Sequence, residues 1–218
     1  MAETGTKTPR ERYRGQVRAE IKERAWEQIA TAGASALSLN AIAKQMGMSG
    51  PALYRYFAGR DELITELIRD AYRSVADTFR AAHESGADVA GLAHAMRAWA
   101  LADPHRYFLI YGTPVPGYHA PDDITNIASE IMTTLLDAYT ALPSDIPATP
   151  FTAHLEDHRR WADDHPASPA ALHRALTFWT RLHGVLSLEL AGHFKGMGFD
   201  PALLFTAELD DLTAPSTD

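Results

Sequence analysis

The densest set of groups able to touch a nucleic acid lies in seven residues, PALYRYF, from Pro51 to Phe57. An arginine guanidinium presents two parallel N–H donors that match the O6 and N7 acceptors of guanine, so Arg55 can read a base edge in a major groove. Tyrosine hydroxyls donate to phosphate oxygens, which fixes register without reading sequence. Tyr54 and Tyr56 flank the arginine and suit that task. The Ala52 methyl and the Pro51 ring can meet a thymine methyl. Each tyrosine taken alone also fits the edge of a core, but two of them around one arginine on an exposed turn weigh against that.

Such a run needs a short helix laid across another. Ser38 is a plausible N-cap for a first helix that turns Leu39, Ile42, Ala43 and Met46 inward. Ala43 is small enough for two helices to cross closely, and Gly47 can take the left-handed conformation that ends the first one. Ser49 is expected to cap the second helix, with Pro51 in its first turn. Leu53 and Phe57 are spaced i, i+4 and point back toward Ile42. With Leu53 inward, Arg55 falls about 200° around the helix at ~100° per residue. This is a helix-turn-helix layout, and Ser38, Asn40 and Ser49 join the candidate DNA contacts. Upstream, Val17, Ile21, Ala25, Trp26 and Ile29 share one helical face between Gly15 and Ala32, and Gly33 supplies a stop. Residues 1–14 have no apolar period and read as a flexible basic arm, in which Lys7, Arg10, Arg12 and Arg14 can track phosphates.

The chain of 218 residues carries a net charge of -8, which argues at first against nucleic acid. The charge is unevenly distributed. Residues 1–60 hold ten Lys or Arg against five Glu, a balance of +5, while residues 61–218 hold ten against twenty-three, a balance of -13. A basic head on an acidic body is the pattern of a DNA-binding protein with a separate partner domain. There is no cysteine, so disulfides and thiolate metal sites are excluded. No apolar run is long enough for a membrane span or a secretory signal, and a cytoplasmic location is expected.

Residues 18–68 resemble the DNA-binding domain of TetR-family transcriptional regulators. The resemblance is carried by AWEQIATAGASALSLNAIAKQMGMS and ALYRYFAGRDELITELI, above all by the LYRYF run with Arg60, Asp61, Glu62 and Leu63 after it. It implies that Tyr54 and Tyr56 contact phosphate, that Arg60 is a further phosphate contact, and that the helix after it links head to body as a lever. Three positions depart from the family pattern: Gly50 in place of a basic or polar residue, Pro51 in place of glycine or an equivalent, and Gly59 in place of Ser or Thr. Base preference therefore cannot be copied from a relative.

The body reads as helices throughout, giving an all-α fold: an N-terminal three-helix helix-turn-helix domain (15–60), a connecting helix (61–84), a helical ligand-binding and dimerisation domain (85–212) and a tail (213–218). Helices are expected over 89–102, from Pro104 to Gly112, over 122–142, from Ser168 to His193 and over 201–212, with proline-rich breaks at 113–121 and 143–151. The runs WALADPHRYFLIYGTPVPGY and FWTRLHGVLSLEL resemble a WHG-type C-terminal domain, matched at Trp179, His183 and Gly184. Met96, Trp99, Phe108, Tyr111, Trp179, His183 and Leu186 offer aromatic and apolar walls for a small apolar or aromatic ligand, and would equally make an ordinary core. Leu188, Ala191, Phe194, Leu203 and Leu204 would leave apolar surface on a monomer, which points to a homodimer paired through a four-helix bundle.

His154 and His158, spaced i, i+4, are the one suggestion of a metal pair. No nucleophile motif, P-loop or dinucleotide fingerprint is present, so neither an enzyme nor a cofactor is expected. The expected function is a repressor that binds a double-stranded DNA operator with two-fold symmetry and is released by a small molecule. A ligand-independent DNA-binding regulator and a helical metal- or ligand-binding protein are the alternatives.

Overall fold

The computed structural model describes residues 8–115, 118–119, 121–142, 149–162 and 165–214. All ten of its longer elements are α-helices, with no strand among the described residues. They fall into two compact units. The first comprises residues 1–70 with 108–120, and the second 71–107 with 121–218.

The first unit is built on α1 (Pro9–Ala32). Val17, Ile21, Ala25 and Ile29 recur every four residues and are buried. They share a small core with Leu39, Ile42 and Ala43 of α2 (Leu39–Gln45), Leu53 of α3 (Gly50–Leu53), Phe57, and Leu63, Ile64 and Leu67 from the start of α4 (Arg60–Glu84). Two glycines punctuate the chain where other residues would be strained. Gly33, at φ 79°, ends α1, and Gly47, at φ 66°, ends α2, where the Met48 N–H returns to the Ala43 carbonyl at 2.8 Å.

Two expectations for this unit are corrected. The helix α1 starts at Pro9, not Gly15, so residues 9–14 are not a flexible arm. A capping box is the cause: the Thr8 hydroxyl accepts from the Glu11 N–H at 3.3 Å, and a Glu11 carboxylate oxygen accepts from the Thr8 N–H at 2.7 Å. Every residue from Pro9 to Gln16 is exposed, so hydrophobic periodicity carries no signal there. Residues 1–7 of the expected arm, Lys7 among them, lie outside the described residues. The second correction concerns α3, which is a single turn. Ser49 precedes it but makes no side-chain capping bond, and the chain leaves the helix at Tyr54.

The second unit packs α9 (Pro169–Leu190) against α10 (Pro201–Thr213), α8 (Pro150–Asp157), α7 (Asp122–Thr140) and α5 (Val89–Ala102). The later half of α4 adds Ala71, Val75 and Phe79, and α6 (Pro104–Tyr111) adds Tyr107. Side-chain caps mark most starts: Asp88 on the Gly91 N–H, Thr149 on Thr152, Ser168 on Ala171 and Asp200 on Ala202. The Thr149 cap begins a helix inside the expected break at 143–151, whose residues 143–148 lie outside the described ones. Leu92, Met96, Leu135, Phe178, Leu182, Leu186 and Phe205 form the core. Beside it Arg97 of α5 and Glu189 of α9 make an ion pair at 2.5 Å.

Candidate nucleic-acid interface

The turn after α3 presents the groups expected to meet DNA. Tyr54 and Arg55 are exposed and Tyr56 is half-buried, while Leu53 and Phe57 on either side are wholly buried. Those two buried residues anchor the run, and the N–H groups of Tyr56 and Phe57 both return to the Leu53 carbonyl, at 2.8 and 3.3 Å. Arg55 therefore sits on a tight turn and not on a continuing helix, so the 200° placement derived from an ideal helix does not describe it. Its side chain nonetheless faces solvent and enters no ion pair among the described residues. Pro51 is exposed and Ala52 half-buried on the preceding turn.

The remaining candidates divide. Ser38 caps α2 through the Ala41 N–H at 3.3 Å, and its own N–H donates to Gln28 Oε1 at 2.9 Å. Its hydroxyl is thus part of the scaffold. Asn40 and Ser49 are exposed, one at the start of α2 and the other just before α3. Arg60 donates through Nη2 to the carbonyls of Ala34 and Ser35, at 2.8 and 3.4 Å, and so holds the connection between α1 and α2. Two arginines of α1 grip this turn: Arg14, expected in the arm as a phosphate contact, and Arg18. Arg14 Nη2 donates to the Arg55 carbonyl at 3.2 Å, and Arg18 Nη1 donates to the Tyr56 carbonyl. Their spacing of four on α1 was the available signal. Among the described residues Arg10, Arg12, Lys44 and Arg55 of this unit are exposed and make no ion pair.

The second unit gathers the aromatic residues differently from the expected ligand wall. Met96 and Leu186 are 1 and 0 % exposed and belong to the core. Trp99 Nε1 donates to Ser74 Oγ at 3.1 Å. The rings of Trp179 and His183 lie 4.4 Å apart. Phe108 and Tyr111 belong to the first unit, so the seven residues are not collected within one unit. The centre of the cluster is Tyr107, which the sequence reading passed over. It is wholly buried, stacks on His183 at 5.6 Å, and its hydroxyl lies 2.9 Å from His183 Nδ1 and 2.8 Å from Ser187 Oγ. Burial pushes the His183 imidazole down to about 4, so it is neutral at pH 7. Burial also raises the Tyr107 hydroxyl, against a smaller opposing effect of the bond to Ser187. Of this cluster only His183 was expected from the sequence; Ser187, one turn after it on α9, was not.

A cavity of about 320 Å³ lies elsewhere in the second unit, along α4 and α7, lined by Ala76, Arg80, Asn126, Ser129, Glu130, Thr133 and Thr134. His154 and His158 stack ring on ring at 3.9 Å, and His158 Nδ1 lies 2.9 Å from the His154 carbonyl oxygen. Among the described residues no group of three or more His, Cys, Asp or Glu is placed to hold a metal ion.

The helix-turn-helix unit and the helical second unit each match a family model. Residues 21–67 match that of the bacterial regulatory proteins of the tetR family, and residues 89–212 that of a tetracyclin repressor-like C-terminal domain. The chain belongs to the TetR family. It is 35 % identical to the HTH-type transcriptional regulator Rv1816 of Mycobacterium tuberculosis (strain ATCC 25618 / H37Rv), with 98 % of each chain covered. The HTH-type transcriptional regulator Mb1846 of Mycobacterium bovis (strain ATCC BAA-935 / AF2122/97) matches to the same extent. Among solved structures, the crystal structure of the regulatory protein SCO4313 is 75 % identical, with a TM-score of 0.89 over 95 % of this chain and 100 % of that one. A protein of unknown function from Rhodococcus sp. RHA1 shares the fold at 21 % identity and a TM-score of 0.66, over 97 % of each chain. As a TetR-family member the chain is a DNA-binding transcriptional regulator and not an enzyme. Among the described residues no helix is long and apolar enough to cross a membrane.

Proposed function

We propose that this regulator is a homodimeric repressor that occupies an operator of two-fold symmetry and leaves it when a small apolar or aromatic molecule binds the body. The observation that carries the reading is the uncovered apolar surface of α9 and α10. Leu203 is 70 % and Leu188 44 % exposed, on two helices already packed against each other, with Leu204 beside Leu203 on α10 and Ala191 and Phe194 in the turn between the two helices. Bare leucines of that size ask for a partner face, and a second copy supplies one with closed two-fold symmetry. A two-fold dimer then sets two recognition turns about 34–36 Å apart, one helical repeat of B-DNA, which is the spacing of a palindromic site. On this reading Tyr54 and Tyr56 hold phosphates, Arg55 reads a base, and the protein acts in the cytoplasm.

The neutral, buried His183 and the rings of Trp99, Tyr107 and Trp179 favour an uncharged aromatic ligand over an ion, because a charge placed among them would lose its hydration without a partner. A ligand shifts the regulator off DNA only by its difference in affinity for the two forms, and a hundredfold effect needs about 2.7 kcal/mol of that difference. A second reading keeps the dimer and drops the ligand. The full burial of Met96 and Leu186 and the internal hydrogen bonds of Tyr107 favour it. Sedimentation of the purified protein, followed by transcription in vitro from a promoter overlapping its selected site, tests the main reading. A dimer that lowers transcript yield is expected. A monomer at micromolar concentration, or a rise in transcript, would overturn it.

A further inference from the structure

In the first unit α1 and the first part of α4 meet along two stripes of opposite charge. Arg14, Arg18 and Lys22 are spaced four apart on α1, and Glu62, Glu66 and Asp70 are spaced four apart on α4. Lys22 Nζ lies 2.6 Å from Asp70 Oδ2. Arg18 Nη2 lies 3.6 Å from Glu66 Oε2, and Arg18 Nη1 3.7 Å from Glu62 Oε1. Both carboxylates are themselves held: Glu66 by Arg69 at 2.5 Å, and Glu62 by the Ala58 N–H at 2.5 Å.

Ion pairs this exposed contribute little to stability, about 0–1 kcal/mol each, so fold stability does not account for the ladder. Its geometry does more. The Arg18 guanidinium lies 4.1 Å over the buried Phe57 ring, and its Nη1 also donates to the Tyr56 carbonyl. One planar fork thus faces a carbonyl, two carboxylates and a ring, which a lysine ammonium cannot reproduce. The carbonyl it holds is significant. With α3 only one turn long, the carbonyls that follow it have no further helical turn to accept from. The turn carrying Tyr54, Arg55 and Tyr56 is fixed from α1.

We propose that Arg18 is a positioning residue for DNA recognition: anchored by Glu62 and Glu66 of α4, it holds the Tyr56 carbonyl and so sets the direction in which Tyr54, Arg55 and Tyr56 leave the turn. Arg18 acts through its neighbours and touches neither base nor phosphate. The inference rests on the assignment of that turn to DNA.

The test uses the full chain with two duplexes of equal length, one carrying the selected site and one scrambled. The variants are Arg18→Lys, Glu66→Gln and the two combined, each measured for thermal midpoint and for binding over a range of salt. Arg18→Lys is expected to keep its midpoint, its affinity for the scrambled duplex and its salt slope, and to lose about tenfold or more in affinity for the selected site. Glu66→Gln is expected to lower discrimination in the same direction, and the double variant to lose less than the product of the two losses, because both act through one contact. An equal loss on both duplexes, with the salt slope reduced by about one, would make Arg18 a phosphate contact and overturn the proposal. Unchanged discrimination in both single variants would also overturn it. If Arg18→Lys fails to fold, the near-isosteric Glu66→Gln decides alone by the same criterion. A failure of the wild type to prefer the selected site would instead remove the underlying assignment of the turn.

Discussion

Acidification should destabilise this protein through His183, and the size of the effect follows from its surroundings. The imidazole is buried, Nε2 included, although the residue as a whole is only half-buried, and Nδ1 lies 2.9 Å from the Tyr107 hydroxyl. Burial lowers its pKa from 6.5 to about 4. Between those values the unfolded chain binds a proton that the folded chain does not, so stability falls as pH falls through this window. Above pH 6.5 the contribution is complete, and below about 4 nothing further is lost. The full shift corresponds to about 3 kcal/mol at ~1.36 kcal/mol per pH unit, of which about 2 is gone at pH 5. Other groups also titrate, so the informative quantity is a difference between proteins. Urea unfolding of the wild type and of His183→Gln at pH 7.5 and pH 5 should show the wild type losing about 2 kcal/mol more than the variant. Imidazole NMR signals of the folded wild type should place the His183 midpoint well below 6.5. Equal losses in both proteins, or a midpoint near 6.5, would refute the argument from burial.

Arg55→Ala should cost about 1–3 kcal/mol in affinity for the selected site and relax base preference at one position per half-site, measured by competition binding with point-substituted duplexes. Uniformly weaker binding with preference retained would make Arg55 a phosphate contact. Tyr54→Phe should weaken all sequences alike, and a selective loss would contradict its role. Leu188→Glu with Leu203→Glu should raise the dimer dissociation constant by more than ~100-fold in sedimentation, since each leucine covered is worth about 1.5–3 kcal/mol and both occur twice. Thr8→Ala should lower stability by about 1 kcal/mol and expose the first turn of α1 to amide exchange.

Much of the architecture is legible because apolar residues recur at helical spacing and polar caps or glycines mark the ends. The helix α5 was expected over 89–102 and is observed at Val89–Ala102 for that reason, with Asp88 before it. The errors fall where that signal is absent. From Pro9 to Gln16 no residue is buried, and the helix is set by a reciprocal pair of hydrogen bonds between Thr8 and Glu11, visible in sequence only as a spacing of three. The length of α3 was misjudged because the i, i+4 spacing of Leu53 and Phe57 fits a helix and equally fits a turn closed on the Leu53 carbonyl. At the candidate site the exposed groups Tyr54 and Arg55 could be read directly. The role of Arg18 could not, since it depends on carbonyls and carboxylates brought together from three segments. Tyr107 escaped for the same reason: its partners stand 76 and 80 residues away.

The central claim is that the turn from Tyr54 to Tyr56, presented twice by a dimer, reads a two-fold DNA site. Selection of bound sequences from a random duplex pool by the purified wild-type protein tests it most directly. The expected result is enrichment of an inverted repeat with half-sites about one helical repeat apart, containing a guanine whose enrichment disappears when the selection is repeated with Arg55→Ala. Recovery of unenriched sequences, held only at low salt, would contradict it.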